Sequence, residues 1–278
     1  MNGGAVRVFA VCGGAATPAL AALAGLRGHA EGTAVRCLRV GALAAVVQDV
    51  PAAQFTADAL RTHLSDRATL ERYARAHHEV VAAVAAAGPA VPVPLTTLYA
   101  DEARARAAIA RESARFLTVL DRVRGRAEWG VKVFAVGPAP GPDGTPGTPP
   151  RSGRAYLDRL RDRQRGREAH RDAVRAAVDR IDATLRATSA AARRLRTHGT
   201  DLTGEAQPQV LNAAYLVDAD RCDELTRAVA ALRADPEFGT LVRIETTGPW
   251  APYSFADETD ETDEAEDADR GGVDDDDA

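Results

Sequence analysis

The sequence predicts an α+β protein with room for two domains, a long amphipathic helix and an acidic tail without structure of its own. Three observations predict it. Short β-branched runs alternate with stretches whose apolar residues recur every three or four positions. At 278 residues, 45% hydrophobic and 27% charged, the chain can bury one or two cores without a metal or a disulfide. The acids are also unevenly spread. From Asp257 onward thirteen acids stand against Arg270 alone, so residues 1–256 carry +7 within a total of −5.

Taken in order, AVRVFAV (Ala5 to Val11) reads as a first strand ending in the turn Gly13-Gly14. After a short helical or loop stretch around Pro18 to Leu26, VRCLRV and LAAVVQDV form a strand pair joined tightly at Gly41-Ala42. From Asp58 to Ala87 the period becomes helical: Leu60, Leu64, Leu70, Tyr73, His77, Val80, Val81 and Val84 mark the apolar face, and Gly88-Pro89 stops it. Pro92 and Pro94 at alternate positions confine the next extended segment to a sheet edge. Asp101 is placed to open a second helix, with Ile109, Phe116, Leu117 and Leu120 as its stripe, closed by Gly125.

AEWGVKVFAV follows as a strand. Residues 137–152, rich in Pro and Gly, can form no regular element and read as a loop. A long helix is expected from Gly153 to Thr197, with Leu157, Leu160, Val174, Val178, Ile181, Leu185 and Leu195 at near-heptad spacing. VLNAAYLV, a helix over Asp220 to Leu232 and TLVRIETTG then form a βαβ-like unit. The tail 257–278 has almost nothing to bury and repels itself, so disorder is its physical expectation.

No apolar run approaches the roughly 20 residues that a bilayer-spanning helix needs. The N-terminus has no basic region ahead of its first strand, so no secretory signal is expected and the cytoplasm is the expected compartment. Cys12, Cys37 and Cys222 have no zinc-type spacing. Gly13-Gly14 lacks the spacing of a phosphate loop, and no nucleophile elbow appears. Adjacent His77 and His78 point about 100° apart on a helix and have no second His at i+4, so they make no ligand pair. No catalytic, metal or cofactor-binding residue is therefore assigned, and no cofactor is expected. Arg159, Arg161, Arg163, Arg165 and Arg167 suggest nucleic-acid binding as the alternative function. Asp158, Asp162, Glu168, Asp172 and Asp179 interleave with them, however, which reads as a salt-laced surface without a stacking platform.

TTGPWAPYSF is the most unusual segment. Two prolines fix an extended path, and Trp250, Tyr253 and Phe255 follow neither a helical nor a strand period. Such aromatics must dock. They lash the C-terminus across the protein's own surface or, as the alternative, form a partner-facing patch.

TGPWAPYSFA resembles the C-terminal signature of the GvpF/GvpL gas vesicle family. Glu128-Trp129-Gly130-Val131-Lys132-Val133, Gly153-Arg154-Ala155-Tyr156-Leu157 and VLNAAYLVD resemble three further family segments, in order. One departure is Pro94-Leu95-Thr96-Thr97-Leu98-Tyr99, where many members read Pro-Leu-Arg-Phe-Gly-Thr. The resemblance implies two domains, 1–126 and 127–256, the second a modified ferredoxin-like fold. It also implies a non-enzymatic assembly factor or minor shell component that binds the hydrophobic shell protein GvpA and other accessory proteins and limits GvpA aggregation. Trp250, Tyr253 and Phe255 are the candidate partner-binding residues; neither nucleic acid nor membrane is an expected partner.

Overall fold

The computed structural model describes residues 4–15, 23, 25–52, 65–137, 153–197 and 207–257. The chain divides into two compact units, Met1–Glu128 with Pro249–Ala278, and Trp129–Gly248. The beginning of the expected first helix with Leu60 and Leu64, the loop beyond Gly137 and the tail from Glu258 lie outside the described residues.

The first unit is built on a sheet of β1 (Gly4–Gly13), β2 (Val35–Val40), β3 (Leu43–Pro51), β4 (Ala90–Pro92) and β5 (Leu98–Tyr99). Its order is β2-β3-β1-β4, with β5 also paired to β1. β1 and β3 run antiparallel from Gly4↔Pro51 to Gly13↔Leu43, with a register shift between Val8 and Ala10. Every residue from Ala5 to Cys12 is buried, as a strand covered on both faces requires.

Helix α1 (Arg67–Ala87) packs Val80, Val81 and Val84 against Phe9, Cys12, Ala44 and Val46. Asp66 caps it by accepting the Thr69 N–H at 2.9 Å, and Gly88 ends it. Leu70, expected on the buried face, is 36% exposed. The second expected helix is two, α2 (Glu102–Arg111) and α3 (Ser113–Arg122), interrupted at Glu112. The interruption rotates the stripe, so Val119 is buried and Leu117 is exposed. Asp101 caps α2 through the Arg104 N–H.

Gln48, fully buried on β3, fastens the loop before β2. Its Oε1 accepts the N–H of His29 and Ala30, and its Nε2 donates to the carbonyls of Arg27, Ala30 and Thr33. Gly28 permits this, because its φ is +59° and a Cβ there would lie 2.4 Å from the Gln48 Oε1.

The second unit contains the main part of β6 (Arg126–Ala135), α4 (Gly153–Ala187), β7 (Ala191–Arg194), β8 (Gln209–Asp218), α5 (Cys222–Ala234), α6 (Pro236–Leu241) and β9 (Val242–Trp250). The sheet order is β7-β8-β6-β9. Val174, Val178, Ile181 and Leu185 of α4, with Leu225 and Val229 of α5, cover Val131, Val133, Leu211, Tyr215 and Ile244. Between Leu157 and Ala169 of α4 every side chain is exposed. Its charges pair along the helix, Arg161 with Asp158 and Arg165 with Asp162.

The long helix stops ten residues short of Thr197. Thr188 and Ser189 turn their hydroxyls onto the Leu185 carbonyl, and the next residues pair with β8 from Ala191↔Leu216 to Arg194↔Ala213. Sheet pairing thus overrides the helical preference of an Ala-Ala-Arg-Arg run. Beneath the sheet, Asp182 accepts hydrogen bonds from the Tyr215 hydroxyl at 2.7 Å and from Arg186 and Arg194. Burial raises its carboxyl, but these three donors together outweigh burial and hold it below its ordinary value.

Candidate functional site

After β9 the chain returns to the first unit. Residues 249–256 were expected within the C-terminal domain, and they leave it because their apolar residues are buried elsewhere. Ala251 is 6% exposed and joins the core of Val80, Val81 and Val84. Phe255 is 1% exposed, with the Arg122 guanidinium 5.4 Å above its ring.

Polar contacts fix the strap between these anchors. Glu128, 8% exposed, accepts the Ser254 backbone N–H and the Ser254 hydroxyl, each at 2.7 Å. Arg115 donates to the Ala256 carbonyl at 3.2 Å and approaches the Asp257 carboxylate at 3.5 Å. The same guanidinium is steadied by Glu112 at the start of α3. Charge-assisted bonds of this kind are about twice as strong as neutral ones, so a short irregular segment is held in one path.

The three aromatics expected to act together are divided by this path. Phe255 is an anchor and cannot meet a partner. Trp250 and Tyr253 are 42% and 37% exposed and flank His78 on α1. The Trp250 ring meets His78 edge-on at 5.1 Å, and the Tyr253 ring lies over it at 6.2 Å with its hydroxyl 3.5 Å from Nδ1. Burial, and then the nearby Glu128 carboxylate, push the Tyr253 phenol up to about 12, so it stays a neutral donor.

Beside Tyr253 runs a groove of about 390 Å³ whose walls include His77, Pro92, Val93, Leu95 and Phe116. His77 is 5% exposed and neither ring nitrogen makes a well-formed hydrogen bond. It belongs to a buried cluster: Phe9 stands 5.5 Å from His77 and 5.2 Å from His29, and His29 stacks on Tyr73 at 5.0 Å. Burial first, and the charge of Arg7 second, lower His29 to about 3 and His77 to about 4. Both imidazoles are therefore neutral near pH 7.

Sequence reasoning missed Arg115 and the part Glu128 plays in holding the strap, and it weighed His78 only as a metal ligand. A signal existed for Glu128: a carboxylate in the apolar strand AEWGVKVFAV must find donors if it is buried. Nothing in the spacing connects Arg115 with residues some 140 positions away. Among the described residues no three His, Cys, Asp or Glu side chains gather as a metal would need, and no helix is long and apolar enough to cross a membrane.

This arrangement presents two aromatic side chains from a strap whose polar groups are taken up by Glu128 and Arg115. Comparison with known proteins shows the family and the fold. The profile of the family described as gas vesicle synthesis protein GvpL/GvpF matches residues 6–257. Gas vesicle protein L of a Streptomyces species is 37% identical over 224 residues, 80% of this chain and 82% of that one. The crystal structure of gas vesicle protein GvpF from Anabaena superposes with a TM-score of 0.63 at 14% identity, covering 93% of this chain and 98% of that one. GvpF from Microcystis aeruginosa gives 0.58 at 15%, covering 91% and 99%. At these identities the two structures show a common fold.

Proposed function

Because this chain belongs to the GvpL/GvpF gas vesicle protein family, we propose that it is a non-enzymatic, cytoplasmic assembly factor or minor component of the vesicle. In this reading it binds the hydrophobic shell protein GvpA and limits its aggregation during vesicle formation. One observation carries the reading: Trp250 and Tyr253 remain substantially exposed on a strap that Phe255, Glu128 and Arg115 hold rigidly. Aromatic side chains presented from a fixed backbone lose little entropy on binding, which suits them to an apolar partner. A shell subunit with a gas-facing apolar surface is such a partner, and it aggregates in water unless covered.

The same reading makes the two units separate domains and the second a modified ferredoxin-like one. Its element order β-α-β-β-α-β and strand order β7-β8-β6-β9 support this, with the short α6 as an addition before the last strand.

The test is sedimentation. GvpA diluted from denaturant with this protein remains in the supernatant, and the double variant Trp250→Ala, Tyr253→Ala loses most of that effect while keeping its melting temperature. Equal pelleting of GvpA with and without the protein refutes the function. Full retention by the double variant refutes the surface.

A further inference from the structure

The first half of α4 presents a surface that the core does not use. His170, whose Nε2 lies 2.8 Å from the Val136 carbonyl, marks the point where the helix leaves the sheet. Beyond it Val174, Val178, Ile181 and Leu185 are buried, while before it residues 157–169 are all exposed, a stretch of about 20 Å at the helical rise. Leu160 stands five full turns ahead of Val178, so it carries the buried line of the helix out into solvent, with Leu157 beside it. Leu157 and Leu160 are 52% and 47% exposed.

The charges of this stretch divide by face. Asp158 is met by Arg161, Asp162 by Arg165 and Asp172 by Arg175, and Glu168 accepts the Gln164 amide. Every acid between Leu157 and Val174 is thereby engaged. Arg159, Arg163, Arg167 and Arg171, all exposed, stand outside these pairs, and none meets a carboxylate among the described residues. Their four-residue spacing makes them one row with steps of about 6 Å. The row winds across the side that carries Leu157 and Leu160, whereas Asp158, Arg161, Asp162 and Arg165 occupy the opposite side. The interleaved acids thus neutralise one face, and the other is cationic and partly apolar.

The geometry points to this second face of α4 as the docking surface for an acidic amphipathic helix of a partner protein. Leucine-type residues of that helix pack beside Leu157 and Leu160. Its Asp and Glu side chains, three and four residues apart, meet the arginine row, as flanking charges do between paired helices. Like charges at four-residue spacing repel one another and oppose the helix until opposite charge meets them. A nucleic acid would match the guanidiniums but set both leucines against phosphate and sugar. A membrane-surface helix needs a broader apolar face than two leucines supply. The surface neither includes nor requires Trp250 and Tyr253, so it goes beyond the reading of the strap and does not rest on it.

The experiment measures fluorescence anisotropy of two labelled helical peptides with the full chain. Both carry leucines at heptad positions a and d, and their flanking e and g positions are glutamate in one and glutamine in the other. At low salt the glutamate peptide binds at least about tenfold tighter, and the advantage shrinks as salt is added. The double variant Arg163→Gln, Arg167→Gln loses most of that advantage. Arg161→Gln, Arg165→Gln, an equal loss of charge from the opposite face, keeps most of it. Leu157→Ala, Leu160→Ala weakens both peptides, and all these positions are exposed, so the melting temperature holds. A labelled DNA duplex and phosphatidylserine vesicles bind more weakly than the glutamate peptide at the same salt. No binding of either peptide, equal binding of the two, equal losses in the two arginine variants, undiminished binding by the leucine variant, or tighter binding of duplex or vesicles overturns the proposal.

Discussion

Lowering the pH from 8 to 5 should selectively weaken the first unit. Both buried imidazoles have folded values below their ordinary 6.5, about 3 for His29 and about 4 for His77. The folded state therefore refuses protons that the unfolded chain accepts. Their contribution is fully present above pH 6.5 and is lost as pH falls from there towards 4. At pH 5 each unfolded imidazole is favoured by protonation by about 2 kcal/mol, so the pair removes about 4 kcal/mol. Glu102, whose carboxyl is held low chiefly by Arg106, begins to lose its contribution only as pH falls through its ordinary 4.5. The assay is urea unfolding followed by the fluorescence of Trp250 in a Trp129→Phe background, since Trp250 is then the only tryptophan. His77→Phe, which keeps an aromatic ring in the cluster, should roughly halve the pH dependence. A stability at pH 5 within about 1 kcal/mol of that at pH 8 would refute the reasoning, as would a pH dependence unchanged in His77→Phe.

Three further outcomes follow from single contacts. Glu128→Ala leaves the half-buried Ser254 donors unmet, costs about 2 kcal/mol, and should speed chymotryptic cleavage at Tyr253 and Phe255. Asp182→Ala strips Tyr215, Arg186 and Arg194 of their shared acceptor and should lower the second unit's stability by about 3 kcal/mol, read from Trp129 fluorescence in a Trp250→Phe background. Gly28→Ala forces a Cβ into Gln48 at a positive φ and should destabilise the first unit by about 2 kcal/mol or more, visible as an earlier thermal transition.

The strands were legible because their β-branched runs are bounded by glycine turns: Gly41 between β2 and β3 has φ +59°, and Gly125 before β6 has +67°. The caps at Asp66, Asp101 and Asp235 each hold an N–H of the following helix's first turn, yet only Asp101 was foreseen. Asp235-Pro236 was an equally readable start for α6. What could not be read was anything decided by distant residues. β7 exists because β8 accepts it, against a local sequence that favours helix. Phe255 and Trp250 carry similar apolar area, but one is buried and the other is not, and only the path set by Glu128 and Arg115 distinguishes them. The reason for Gly130 was also out of reach: a Cβ there would stand 2.8 Å from the Thr247 Oγ1.

The strap also imposes an order of events on biosynthesis. The first unit leaves the ribosome early, but Ala251, which joins its core, and the buried Phe255 are encoded after the whole of Trp129–Gly248. At roughly 5–20 residues per second, that stretch takes on the order of ten seconds to emerge. Throughout that interval the seat of Phe255 is open to water and to any nascent neighbour, and it closes only after Phe255 has itself emerged.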